Sequence, residues 1–184
     1  MKVLAICGSI RMGNTRFLVD KIVQQLLRKT NVHVDKVNLS DIKFSFCNGC
    51  LNCDVTGQCV IDDDMNRIVN IVRETDAFIF ATPARWGLLS GEMKTFFDRL
   101  NPLAINEELK GKKAIILAVG QSEEDDNASI ACAARSIMCF CINAKIEVVE
   151  TVIVSDCYSP LDAQKKQKYI SQCEKAGLKL IGES

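Results

Sequence analysis

The chain is short of proline, histidine, tryptophan and net charge, and each shortage excludes something. It has three prolines and no repeat, low-complexity tract or Gly/Ser/Pro-rich segment, which leaves no place for a linker. One domain is therefore expected over residues 1–184, a length that suits a single core. Lys plus Arg and Asp plus Glu are equal at 23 each. With no long-range field of either sign, neither nucleic acid nor an anionic membrane is an expected partner. Near the N-terminus the longest apolar run is Val3 to Cys7, far too short for a membrane span or a signal-peptide core, so a cytoplasmic location is expected. The one histidine, His33, alternates with Val32 and Val34 and reads as an outward-facing strand residue, not a catalytic one.

Cysteine, by contrast, is plentiful. There are ten, in a chain with 48% apolar and 25% charged residues. In a reducing compartment disulfides are not expected, which leaves metal binding, redox work or plain burial. Cys47, Cys50, Cys53 and Cys59 crowd into one segment, a cysteine-rich loop at 44–62. Cys7, Cys132, Cys139, Cys141, Cys157 and Cys173 lack ligand spacing and are expected to be small buried residues.

The hydrophobic pattern alternates strand and helix. Val3 to Cys7 and Ala77 to Ala81 are continuous apolar runs, the mark of strands buried on both faces. Val32 to Leu39, Ala114 to Val119 and Glu147 to Val154 supply three more strands. Helices are predicted from Thr15 past Leu26, over Asp63 to Glu74, Ser90 to Leu100, Ala128 to Ile142 and Leu161 to Ile181. This βαβαβαβαβα order implies a three-layer αβα domain of the α/β class. Its form would be a doubly wound, five-stranded parallel sheet in the flavodoxin-like order 2-1-3-4-5. Ligands on such sheets bind beyond the carboxyl ends of the strands, beside strand 1.

Three loops at that edge are candidates. After strand 1 comes Gly8-Ser9-Ile10-Arg11-Met12-Gly13-Asn14-Thr15. Small residues let backbone N–H groups approach an anion, Ser9, Asn14 and Thr15 add donors, and Arg11 adds a cation. The helix N-terminus behind them adds its dipole. Neither the P-loop ending nor the dinucleotide G-x-G-x-x-G spacing is present; the plainer reading is a tight turn with Asn14 or Thr15 as helix cap. After strand 3 come Pro83, Ala84, Arg85, Trp86 and Gly87, and the only tryptophan is a flat ring suited to border a planar ligand. The plainer reading has Trp86 in the core and Asp98 paired with Arg99 at the surface. After strand 4, Gly120 and Gln121 form a third wall, and the acidic run behind them reads as a solvated loop with Asp126 or Asn127 capping a helix.

The cysteine run is C-x2-C-x2-C-x5-C. Thiolates at this spacing suit a [4Fe–4S] cluster, and bacterial ferredoxins begin in the same way. Redox-switching thiols remain open, because C-x-x-C pairs lower a thiol pKa. So does structural zinc, which more often uses two separated pairs. Asp62, Asp63 and Asp64 read as acidic first-turn residues of the next helix and not as a metal site.

These motifs carry a resemblance. Gly-Ser-x-Arg-x-x-Gly-Asn-Thr resembles the FMN phosphate loop of the NAD(P)H-dependent FMN reductase group of flavodoxin-like proteins. Residues 82–99, with Ser90, Lys94, Asp98 and Arg99 spaced as Ser-x-x-x-Lys-x-Phe-x-Asp-Arg, resemble its flavin loop and following helix. The cysteine run with Val60 to Met65 resembles the iron–sulfur flavoprotein branch. The resemblance spans nearly the whole chain, with its specific parts at 8–15, 47–65 and 82–99. It implies that Ser9, Arg11, Gly13, Asn14 and Thr15 hold the FMN phosphate and that Pro83, Ala84, Arg85, Trp86, Gly87, Gly120 and Gln121 lie against the flavin. It implies cluster ligation by Cys47, Cys50, Cys53 and Cys59. Ser90, Lys94, Asp98 and Arg99 would fix the loop and helix. Arg85 stands where the family commonly has a neutral residue, and a cation there would favour reduced, anionic flavin. No catalytic side chain is expected, because the cofactor carries the chemistry. The implied partners are a ferredoxin-like electron donor or NAD(P)H, a small-molecule acceptor, and further copies of the chain in a homodimer or homotetramer. A cluster-free NAD(P)H-dependent FMN, quinone or azo reductase, and a thiol- or zinc-based redox-sensing module, are the competing readings.

Overall fold

The computed structural model describes residues 1–183. Five strands, β1 (Lys2–Cys7), β2 (His33–Asn38), β3 (Ala77–Pro83), β4 (Lys113–Val119) and β5 (Glu147–Val154), form one sheet in the order β2-β1-β3-β4-β5. Every pairing is parallel, with a register shift at Ala114/Ile115 in the β4–β5 pair. This is the doubly wound flavodoxin-like order expected from the sequence.

Among the described residues seven helices accompany them: α1 (Asn14–Leu26), α2 (Asn52–Thr56), α3 (Met65–Glu74), α4 (Gly91–Arg99), α5 (Asn101–Ile105), α6 (Ala128–Asn143) and α7 (Gln167–Leu180). Strand residues alternate between two apolar layers. Leu4, Ile6, Phe78, Phe80 and Ile116 face α3, α4 and α6, while Val3, Ala5, Ile79, Leu117 and Val152 face α1 and α7. The first layer is pinned by aromatics. Phe97 of α4 stacks on Phe140 of α6 with centroids 4.0 Å apart, and Phe80 meets Phe97 edge-on at 5.2 Å. β2 is an edge strand and mostly exposed, which explains why its pattern alternates.

Several expectations are corrected. The last helix begins at Gln167, not Leu161, because Asp162–Lys165 forms a separate 3-10 turn. Asp162 there accepts a hydrogen bond from the Ser159 N–H at 2.6 Å. α3 begins at Met65, so Asp63 and Asp64 precede the helix, and they also accept N–H groups of the chain entering the cysteine loop, Asp64 from Lys43 and Asp63 from Ser45. Cys132 and Cys139 are exposed, since Ile130, Ala133, Ala134, Ile137 and Cys141 take the inner face of α6. Asn127 makes no side-chain cap to α6. Asp98 and Arg99 do not pair: Asp98 binds Lys94, and Arg99 is buried against Asp63. Trp86 lies outside the core, fully exposed at 101%.

Candidate functional site

The carboxyl edge of the sheet is laced by backbone hydrogen bonds from one strand end to the next. The Gly8 N–H donates to Ala81 O at 2.8 Å, Ala84 N–H to Val119 O at 2.8 Å, and Gly120 N–H to Val154 O at 2.9 Å. These bonds bring the three predicted loops to one line. Glycine is needed twice. A Cβ on Gly8 would meet Ser90 Oγ at 2.6 Å, and one on Gly120 would meet Ile130 Cγ1 at 2.6 Å.

Between the loops lies a cleft of about 470 Å³, within the range of small-molecule sites. It is lined by Ser9, Arg11, Gly13, Asn14, Thr15, Pro83, Ala84, Arg85, Trp86, Gly120 and Gln121, which are all the residues the sequence assigned to the cofactor except Gly87. Gly87 sits one residue back, at φ 75° in a two-residue hairpin closed by bonds between Arg85 and Leu88. Trp86 precedes it at φ 50°, a left-handed conformation unusual for a bulky residue.

The Ser9–Thr15 end of the cleft is built from the first turn of α1 and the loop before it. That helix starts after Gly13 with no acidic residue in its first turn and, among the described residues, no side-chain cap. Its leading N–H groups have no helical partner, and Asn14 and Thr15 line the cleft, an arrangement that favours an anion. The Ser9 hydroxyl donates to Arg11 O at 3.0 Å and accepts from the Arg11 N–H at 3.3 Å, folding the loop tightly. Arg16, which sequence reasoning missed, braces the loop from behind. It donates to Ser9 O at 3.4 Å and pairs with Asp41 at 3.1 Å.

Asn14 has a second task. Its amide donates to Ser159 O at 2.7 Å and accepts from the Ala163 N–H at 2.9 Å. It thereby staples the segment after β5 across the cleft, where Cys157, Tyr158, Ser159 and Pro160 form a wall not foreseen from the sequence. The only sequence signal was the Ser159-Pro160 turn at the end of a strand. Burial pushes the Cys157 thiol up to about 11, so it is a neutral wall residue and not a nucleophile.

The cysteine loop runs from β2 to α3 and lies beside the same edge. Left-handed turns at Gly49, Leu51 and Gly57 wrap it, and α2 is a single turn within it. Cys47 and Cys50 are exposed, and Cys53 and Cys59 are partly buried. Among the described residues, no three His, Cys, Asp or Glu side chains converge on one point. The loop nevertheless offers N–H donors to sulfur. Asn101 Nδ2 lies 3.2 Å from Cys53 Sγ, and the Gly49 N–H lies 3.5 Å from Cys47 Sγ. Such donors suit thiolate ligands. Sequence reasoning missed Asn101, which lies 48 residues from Cys53. No described helix is long and apolar enough to cross a membrane.

A cleft at the switch point of a parallel sheet, with an uncapped helix N-terminus at one end, lies where flavodoxin-like folds bind their ligands. The family model for NADPH-dependent FMN reductase matches residues 1–154, and the chain belongs to that family. It is similar to an iron-sulfur flavoprotein of Archaeoglobus fulgidus, 36% identical over 129 residues, covering 67% of this chain and 58% of that protein. An iron-sulfur flavoprotein of Methanocaldococcus jannaschii is 34% identical over 152 residues, covering 80% of this chain and 75% of its own. The chain thus spans between about half and three quarters of these relatives. Among solved structures, an NAD(P)H:quinone oxidoreductase from Methanothermobacter marburgensis superposes with a TM-score of 0.78 at 17% identity, covering 100% of this chain and 98% of that one. That likeness bears on the fold alone.

Proposed function

We propose that this chain is an FMN-dependent oxidoreductase that holds FMN in the carboxyl-edge cleft and a [4Fe–4S] cluster on Cys47, Cys50, Cys53 and Cys59. The observation that carries the reading is the cleft itself. A single cavity is lined by the phosphate loop, the Pro83–Trp86 segment and Gly120, each on a separate strand end.

The residues fit both groups. The leading N–H groups of α1, with Ser9, Arg11 and Thr15, receive a phosphate. Arg11 is exposed at the mouth and makes no ion pair among the described residues, so its charge is available. Gly120 keeps the floor clear, because a Cβ there would lie 2.6 Å from Ile130 and 3.3 Å from Ala84, which also line the cleft. Pro83 to Trp86 back a planar ring, with Arg85 adding positive charge at its edge. Asn101 and the Gly49 N–H hold two of the four sulfurs. When bound, FMN supplies hydride acceptance at N5 and one-electron release, and a thiolate-held cluster supplies one-electron steps.

On this reading the protein converts between two-electron and one-electron partners. The donor is a ferredoxin-like protein or NAD(P)H as co-substrate, and the acceptor is a small molecule. Exposed free thiols suit the reducing cytoplasm. A second copy of the chain covers the apolar hollow of about 1030 Å³ between α4, α6 and Leu88.

The test is an anaerobic purification followed by a visible spectrum and assays of iron and acid-labile sulfide. Flavin bands over a broad shoulder, with about four irons per chain, are expected. Flavin without iron after reconstitution would remove the cluster and leave a cluster-free reductase. Failure to bind added FMN would remove the flavin reading altogether and leave a thiol-based redox module.

A further inference from the structure

We infer that Arg99 is a positioning residue for the cysteine loop: its guanidinium pins both ends of the loop to α4 and keeps one N–H, at Nε, for a sulfur anion. The inference rests on the reading of Cys47 to Cys59 as thiolate ligands.

Arg99 is the last residue of α4, and its side chain is completely buried. Nη1 donates to Ser45 O at 2.8 Å and to Asp63 Oδ2 at 2.7 Å. Nη2 donates to Asp63 Oδ1 at 2.9 Å and to Ile61 O at 3.3 Å. Ser45 lies just before Cys47 and Ile61 just after Cys59, so the chain enters and leaves the loop across one guanidinium. Asp63 completes the clasp by accepting from the Ser45 N–H at 2.8 Å and the Met65 N–H at 3.0 Å. A guanidinium has five N–H donors in a fixed fork, and here four are taken.

The fifth is not. Arg99 Nε is the buried side-chain nitrogen left without a partner among the described residues. An unpaired buried donor is costly, so a native protein that keeps one has reason to. Burial works against the Arg99 charge, but the hydrogen-bonded Asp63 carboxylate outweighs it. Two residues after Arg99 in sequence, Asn101 directs its side-chain N–H to Cys53 Sγ. The α4–α5 junction therefore sets one N–H on a loop sulfur and leaves a second, at Arg99 Nε, buried and unpaired where the two ends of the loop meet. Thiolate-bound iron–sulfide carries net negative charge, and N–H donors to its sulfurs tune it. A merely structural ion pair would need neither the two backbone carbonyls at the loop's ends nor a free Nε.

The test uses the full chain with Arg99→Gln and Arg99→Lys, lysine keeping the charge but not the fork. In the reduced, iron-free protein, hydrogen exchange is read at the protected loop amides of Ser45, Asp54 and Gly57. Exchange there is expected to rise about tenfold in both variants, while β1, β3, β4 and FMN affinity stay as in wild type. Anaerobic addition of ferrous iron and sulfide is expected to give about ten- to hundredfold weaker iron uptake than wild type, as when a ligand-orienting partner is lost. Unchanged loop exchange, iron uptake equal to wild type, or acceleration spread evenly over the sheet each overturns the inference. If the Arg99 variants fail to fold, Asp63→Asn opens the same clasp from its less buried side and is read in the same two ways. If wild type binds FMN but takes up no iron, the cluster reading falls while the exchange measurement still decides the pinning.

Discussion

At Gly120 the difference between an open cleft floor and a blocked one is a single methyl group. Gly120→Ala places a Cβ 2.6 Å and 2.9 Å from two Ile130 atoms and 3.3 Å from Ala84. Overpacking of this kind costs about 1–3 kcal/mol. The expected outcome is a lower melting temperature together with weaker FMN binding, read by thermal denaturation and flavin titration. Arg85 is exposed at the hairpin and contacts the cleft. Removing a cation beside a ring that gains negative charge on reduction disfavours reduction. Arg85→Ala should therefore lower the flavin midpoint potential by something on the order of tens of millivolts, as measured by spectroelectrochemistry. An unchanged potential would show that Arg85 has no electrostatic role.

At the scale of elements, the clasp between α4 and the cysteine loop has a pH signature. Burial alone would raise the Asp63 pKa, but hydrogen bonds from Arg99, Ser45 and Met65 win and hold it below its ordinary 3.8. A carboxyl group depressed on folding stabilises the protein above its unfolded pKa. That contribution is complete at neutral pH and is lost as pH falls from about 3.8 toward the folded value. In acid unfolding, wild type should therefore exceed Asp63→Asn in stability at pH 7, with the gap closing below pH 4. A gap that persists at low pH would mean that the pair is not its source.

The elements themselves were largely legible. Val3 to Cys7 and Ala77 to Ala81 announced buried strands because a parallel strand covered on both faces has no polar side to display. The cleft was legible too, since fold order directs attention to the loops after β1, β3 and β4. What escaped was set by contacts far apart in sequence. Asn14 reads as a phosphate ligand or a helix cap, and nothing in its neighbours reveals that it clamps Ser159, 145 residues away. Arg99 and Asp98 look like an adjacent surface pair until Asp63, 36 residues upstream, claims the arginine. Cys132 and Cys139 were expected inside because cysteine usually is, but the inner stripe of α6 was already filled by other residues.

On the whole molecule, Leu51, Leu88 and Cys139 are exposed together along the hollow between α4 and α6. Apolar surface concentrated in this way marks an interaction site. Cys139→Arg, which adds charge without disturbing the core, should shift sedimentation from dimer or tetramer toward monomer. Wild type sedimenting as a monomer at micromolar concentration would remove a second copy from the proposal.

The hairpin carrying Trp86 has one more consequence. The chain contains a single tryptophan, it is wholly solvent-exposed, and it lines the carboxyl-edge cleft proposed to hold FMN. Its emission is therefore a built-in optical gauge of the site. The free protein should fluoresce at the long wavelengths of a water-exposed indole, and titration with FMN should quench that light in step with occupancy, by energy transfer to the yellow ring. A hairpin strained at φ 50° and φ 75° holds this lamp at the mouth of the cleft, so arrival and departure of the cofactor can be timed by stopped-flow without any label.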